Sequence, residues 1–173
     1  MSALREPGSF DVILIDGRSG SGKTSLAEEL VHACGGSAQV LHIEDLYPGW
    51  DGLAEGSHAA GRALIERGYR AYNWGTGEFG PRIALGSQRP LIVEGCGAIT
   101  ADNLAAARSW AGGEEARVYS VWLEGSEELR QSRAFARDGD TYRPHWARWA
   151  AQEDRLFAEA RPMDLADEIM PVR

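Results

Sequence analysis

Gly17-Arg18-Ser19-Gly20-Ser21-Gly22-Lys23-Thr24 fits the pattern G-x-x-x-x-G-K-[ST] at every position, and Lys23 is the only lysine in the chain. The six residues before it, Asp11-Val12-Ile13-Leu14-Ile15-Asp16, form a short apolar run that reads as a buried strand. Ser25-Leu26-Ala27-Glu28-Glu29-Leu30-Val31 follows it and reads as a helix with Leu26, Leu30 and Val31 on one face. Strand, glycine loop and helix are the context that gives this pattern its meaning as a phosphate-binding (Walker A) loop. Glycines let successive backbone N–H groups turn inward around a phosphate, and the helix start adds unpaired N–H groups and a positive dipole end. Gly17, Ser19, Gly20, Ser21, Gly22, Lys23, Thr24 and Ser25 are therefore the expected nucleotide-binding set. Lys23 would reach the β- and γ-phosphates, and the Thr24 hydroxyl would ligate Mg²⁺. ATP and Mg²⁺ are the expected cofactors.

The chain has 173 residues, a length that suits one α/β domain spanning 1–173 with a core large enough to need no disulfides. Its formal net charge of −8 argues against a general nucleic-acid binder, which needs a basic footprint. All 18 basic residues except Lys23 are arginine, so arginine counts only by position. Cys34 and Cys96 form no C-x-x-C pair and read as two small buried thiols in a reducing compartment. Residues 1–10 lack the apolar stretch of a signal peptide, and no run reaches the roughly 20 apolar residues of a membrane span. A cytoplasmic protein with no membrane association is expected; the oligomeric state stays open.

Further strands are expected at 39–43, 90–94 and 116–123, with a last one near 168–170. Helices are expected at 57–67, 100–110, 126–137 and about 144–160. The alternation implies a mostly parallel sheet covered on both faces, with the phosphate site at the carboxyl ends of the strands. Asp16, Glu44, Asp45 and Glu94 all fall at or just past strand ends. Asp45 is the candidate base toward an acceptor hydroxyl, against the alternative of a turn or cap before Pro48. Glu94 closes an apolar strand as a Walker B acid does and is the candidate Mg²⁺ ligand beside Thr24. Whether Glu44 or Asp16 joins the metal shell is open.

Arg130, Arg133 and Arg137 share one helix face and precede Asp138-Gly139-Asp140, which reads as a mobile loop. Arg133 and Arg137 are candidates to meet a transferring phosphoryl group, with a small lid at about 130–145. Tyr72 and Trp74, with Arg82 beyond them, lie in a glycine-rich segment that could clamp a planar acceptor or pack as an irregular loop. Trp146, Trp149 and Phe157 repeat at helical spacing and read as core. The four histidines carry no metal-ligand spacing and are assigned no role.

Taken together, these blocks resemble the uridine kinase-like nucleoside kinases within the P-loop nucleoside and nucleotide kinases. Residues 15–24 are similar to that family's P-loop, and Asp45-Leu46-Tyr47 to its D-x-Y block, whose aspartate serves as base. Val93-Glu94-Gly95 is similar to its strand-end E-G, and residues 133–138 to its R-x-x-x-R-D lid. The resemblance implies a three-layer P-loop NTPase fold of nucleotide-kinase type with a small helical lid. It further implies a γ-phosphate transfer to the hydroxyl of a small-molecule acceptor, most simply a nucleoside, with Asp45, Tyr47, Tyr72, Trp74 and Arg82 on the acceptor side. Residues 72–87 depart from the family's nucleoside-binding run, which leaves a nucleotide, a sugar or a sugar acid as alternative acceptors. A nucleotide-binding regulatory or assembly protein with little kinase activity is the alternative in class. No N-K-x-D block is present to specify guanine.

Overall fold

The computed structural model describes Leu4 and residues 6–173; the reading of residues 1–10 as lacking a signal peptide falls partly outside them. Five strands form one sheet, β1 (Val12–Gly17), β2 (Gln39–His42), β5 (Leu91–Glu94), β6 (Val118–Glu124) and β7 (Glu168–Pro171). Their order is β2-β5-β1-β6-β7, and every neighbouring pair runs parallel. Parallel neighbours need crossovers, which the helices supply. These are α1 (Lys23–Ala33), α2 (Leu53–Glu66), α3 (Ala101–Ala111), α4 (Glu127–Tyr142), α5 (Trp146–Ala160) and the four-residue α6 (Pro162–Leu165).

Helices on both faces bury the central strands twice over, which is why β1 is apolar along its length rather than alternating. Val12 and Leu14 enter a core shared with α2, α3 and α5, while Ile13 and Ile15 enter a second core shared with α1. Trp146, Trp149 and Phe157 lie in the first core, as their spacing predicts. Local chemistry sets the helix starts: the Thr100 hydroxyl accepts the Asn103 N–H at 3.0 Å, and the Ser126 side chain accepts the Leu129 N–H at 3.3 Å. Asp11, just below the sheet, accepts the Arg117 N–H at 2.8 Å and the Arg89 guanidinium at 2.7 Å, tying together the starts of β1, β5 and β6.

Three expectations need correction. The glycine-rich segment around Tyr72 is a two-stranded antiparallel hairpin, β3 (Gly68–Asn73) and β4 (Glu78–Ala84), separate from the main sheet. Its turn is closed by the Asn73 carboxamide oxygen, which accepts the Gly75 and Thr76 N–H groups. Residues 138–140 are not a loop but part of α4, interrupted only at Gly139, whose φ of 53° and ψ of −129° break the helical path. Finally, only Cys96 is buried; Cys34 is partly exposed. No helix among the described residues is long and apolar enough to cross a membrane.

Candidate active site

The phosphate loop leaves β1 at Gly17 and enters α1 at Lys23. Gly20 and Gly22 sit at φ 79° and 93°, a left-handed backbone that aims consecutive N–H groups to one side. Gly20 is also obligatory on space grounds, because a Cβ there would stand 2.0 Å from the Arg130 carbonyl oxygen. The Lys23 side chain folds back along the loop, and its ammonium donates to the Arg18 carbonyl at 3.1 Å. Burial opposes that charge, but Glu94, Glu153 and Asp16 around it more than compensate and hold its pKa above the ordinary lysine value. The Ser21 hydroxyl is fully buried and has no hydrogen-bond partner among the described residues, an orphan that a bound phosphate oxygen would satisfy.

Glu94, at the end of β5, faces the first turn of α1. Its Oε1 accepts the Thr24 hydroxyl at 3.3 Å and lies 2.5 Å from His42 Nδ1. Asp16 turns the other way: Oδ1 accepts the Gly17 and Gly97 N–H groups at 2.7 and 3.0 Å, and Oδ2 accepts the Ile99 N–H at 2.8 Å. Both oxygens are thus committed to backbone, clamping the end of β1 to the chain after β5. Burial nonetheless raises the Asp16 pKa to about 6 against these three bonds.

An open cleft of about 1210 Å³ runs from this loop past the carboxyl end of the sheet. Residues 19–25 and Glu94 line it. Arg133 and Arg137 on α4 line it too. Arg133 passes close to Gly22 and donates to the Arg173 carbonyl at 2.7 Å. Arg137 forks onto Asp138 with bonds of 2.9 and 2.6 Å. Part of the lining is aromatic and adjoins the loop, since Tyr142 bonds to Ser19. Trp50 is the hub, with its ring 4.1 Å from His145 in a stack, 5.4 Å from Tyr142 in a stack, and 5.0 Å from Trp74 edge-on.

The residues read from sequence as an acceptor set do not all converge. Trp74 lines the cleft from the tip of the hairpin. Tyr47 borders it but is only 5% exposed, with its hydroxyl donating to the Cys96 carbonyl at 2.7 Å and its ring edge-on to Trp149. Tyr72 is set back, in edge contact with Trp74 and Phe79. Arg82 lies elsewhere: its guanidinium packs over Gly68 and donates to the Glu66 carbonyl at 2.6 Å, latching the hairpin to α2. After β2 the chain makes a short 3₁₀ turn, Ile43–Leu46, which separates the two candidate acids. Glu44 lines the cleft, whereas Asp45 sits beside it, near His42 and Glu94. Burial raises the pKa of both; Arg137 opposes the rise at Glu44 and His42 opposes it at Asp45.

Four residues carry more of the site than their sequence position suggests: His42, Trp50, Arg130 and Glu153. Glu153 is 1% exposed and its Oε1 accepts the Ser19 N–H at 2.7 Å. A signal for it existed, since an acid on the stripe that Trp146, Trp149 and Phe157 share must be satisfied inside the protein. Arg130 is likewise buried, and its guanidinium donates to the Gly125 and Ser19 carbonyls.

No protein-family model and no curated protein matches the sequence. Solved structures do match its fold. One is a possible uridine kinase from Bacillus stearothermophilus, 18% identical with a TM-score of 0.58, covering 93% of this chain and 88% of that one. Another is shikimate kinase from Acinetobacter baumannii in complex with shikimate, 17% identical with a TM-score of 0.51, covering 98% of this chain and 88% of that one. The parallel sheet, its flanking helices and the loop after β1 are those of the P-loop kinase fold.

Proposed function

We propose that this chain is an ATP- and Mg²⁺-dependent phosphotransferase that moves a γ-phosphoryl group onto a hydroxyl of a small molecule, a nucleoside or nucleoside-like compound. The observation that carries the reading is one cleft lined by three kinds of side chain: Lys23, Thr24 and Glu94 of the phosphate site, the aromatics Trp50, Trp74 and Trp149, and the cationic Arg133 and Arg137. A passive nucleotide binder needs no arginine pair facing its phosphate loop.

Loop N–H groups and the Lys23 ammonium would hold the β- and γ-phosphates, and the orphaned Ser21 hydroxyl fits the same role. Mg²⁺ would be held by the Thr24 hydroxyl and Glu94. The two oxygens lie 3.3 Å apart, and so few protein ligands suit an ion that keeps waters and phosphate oxygens as its main ligands. When bound, the ion would spread the charge of the β- and γ-oxygens. A carboxylate after β2, Asp45 by the family resemblance, would take the acceptor's proton. Arg133 and Arg137 would neutralise charge on the transferring group. A cytoplasmic location goes with this reading, since cells keep their ATP there.

The test is ADP release across nucleosides, nucleotides, sugars and sugar acids, with Lys23→Met as control. Acceptor-dependent release by the wild type, abolished in the variant, is the expected result. Tight nucleotide binding with no acceptor dependence in any class would replace the kinase with a regulatory binder.

A further inference from the structure

The backbone of Ser19, in the middle of the phosphate loop, is gripped on both sides by helices distant in sequence. Its N–H donates to Glu153 Oε1 of α5 at 2.7 Å, and its carbonyl accepts Arg130 Nη1 of α4 at 3.3 Å. Neighbouring contacts reinforce each grip. Arg18 reaches α5, with its Nη1 2.8 Å from Asp154 and 3.6 Å from Glu153, and its guanidinium lies over the Phe157 ring. Gly20 packs directly against the Arg130 backbone. The gripping side chains are among the few buried charged groups in the molecule, Arg130 at 8% and Glu153 at 1% exposure. A buried carboxylate and a buried guanidinium that bind the two peptide groups of one residue are costly choices for packing alone, because apolar side chains of similar volume fill such space at lower desolvation cost.

The break at Gly139 lies within α4, and α4 carries Arg133 and Arg137 three and seven residues beyond Arg130. A shift of α4 therefore moves the cleft arginines and the Ser19 carbonyl as one body, while α5 holds the N–H of the same residue. We propose that the Ser19 backbone is a coupling joint, and that Glu153 and Arg130 are positioning residues which set the phosphate loop and tie its occupancy to the posture of the lid over residues 130–145. The inference rests on the reading of residues 17–24 as a triphosphate site, and it adds a route by which occupancy there reaches the lid.

Two readouts test it, the affinity for a non-hydrolysable ATP analogue with Mg²⁺ and hydrogen exchange over 130–145 with and without that analogue. In the wild type the analogue binds and slows exchange. Glu153→Asp keeps the charge but is one methylene too short to reach the Ser19 N–H. It should bind the analogue about tenfold more weakly, the effect of losing one charged hydrogen bond, and exchange over 130–145 should no longer respond to the analogue. Glu153→Gln, whose carbonyl oxygen can still accept that N–H, should keep the exchange response to the analogue, whatever the loss of its charge beside Lys23 and Arg18 does to affinity. A merely structural Glu153 would lower the melting temperature of both variants and leave the nucleotide response of the lid intact. Should Glu153→Asp fail to fold, Arg130→Lys, which cannot span the Gly125 and Ser19 carbonyls together, carries the same two readouts. Variants that bind and protect like the wild type overturn the joint alone. A wild-type chain that binds no nucleotide overturns the phosphate-site reading and the joint with it.

Discussion

His42 and Glu94 stand opposite each other in register on adjacent parallel strands, and their side chains meet at 2.5 Å. The hydrogen bond to Glu94 raises the His42 pKa against the effect of burial, with Asp45 and Glu44 adding to the rise. Because the same Glu94 oxygen faces the Thr24 hydroxyl, the imidazole fixes the direction in which that carboxylate points. Such orienting partners matter to metal affinity nearly as much as the ligands they hold.

Glu94→Gln should raise the Mg²⁺ concentration needed for half-maximal analogue binding by about tenfold or more, and His42→Ala should raise it in the same direction by less. Titrating Mg²⁺ at fixed analogue concentration gives the answer. An unchanged midpoint in Glu94→Gln would leave that residue as the end of its strand and nothing more.

Asp45 and Glu44 are adjacent, and only one need act as base. With Asp45 as the base, Asp45→Asn leaves analogue affinity near wild type and lowers kcat by about 10²–10⁴, while Glu44→Gln changes kcat little. The cleft geometry makes the reverse pattern the informative alternative, since Glu44 and not Asp45 lines the wall. Steady-state kinetics on the two variants, with the acceptor found by the ADP screen, separates them.

Arg137 is held by Asp138 and Arg133 by the Arg173 carbonyl, so each must exchange a partner to meet a phosphoryl group. Arg133→Ala or Arg137→Ala should lower kcat by about 10³, with a modest change in analogue affinity, because charge that arrives with the transition state acts mainly on kcat. Asp138→Ala frees Arg137 and should lower the acceptor-independent ground-state affinity little. Full activity in both arginine variants would make them a solvated face.

Asp16 offers a pH signature. Its folded pKa of about 6 lies above the ordinary 3.8, so between roughly pH 4 and 6 the folded chain keeps a proton that the unfolded chain releases. Stability from this group is therefore present at the acid end, declines as pH rises through that window, and is flat above it. The unfolding free energy of the wild type relative to Asp16→Asn should fall by roughly 1–3 kcal/mol from pH 4 to pH 7, measured by urea titration at each pH. A constant difference would mean that the three N–H bonds to Asp16 offset its burial in full.

Much of the fold was legible because it depends on local pattern. The apolar runs at β1 and β5, the glycines before α1, and the acids following Ser126 each encode their element within a few residues. The hairpin of β3 and β4 was hidden because exposed strands of mixed polarity, with Arg70 and Arg82 paired across it, lack the apolar alternation that marks a half-buried strand. Gly139 with two flanking acids has loop composition, yet helix continues on both sides because Phe135 and Tyr142 pack against Trp146. For the site, the loop and its acids announce themselves by spacing. The grip of Glu153 and Arg130 on Ser19 spans more than 100 residues of chain and has no local signature.

The hairpin has one more implication. It pairs with no strand of the central sheet, and it reaches the cleft through Trp74 at its tip, held in place by the latch of Arg82 on α2. On the proposed kinase reading, selection among acceptors would then change by replacement of a modular appendage, with Lys23, Thr24 and Glu94 untouched. Loop-borne selectivity on a rigid frame is how one architecture diversifies. For an engineer, residues 68–84 are the segment to transplant.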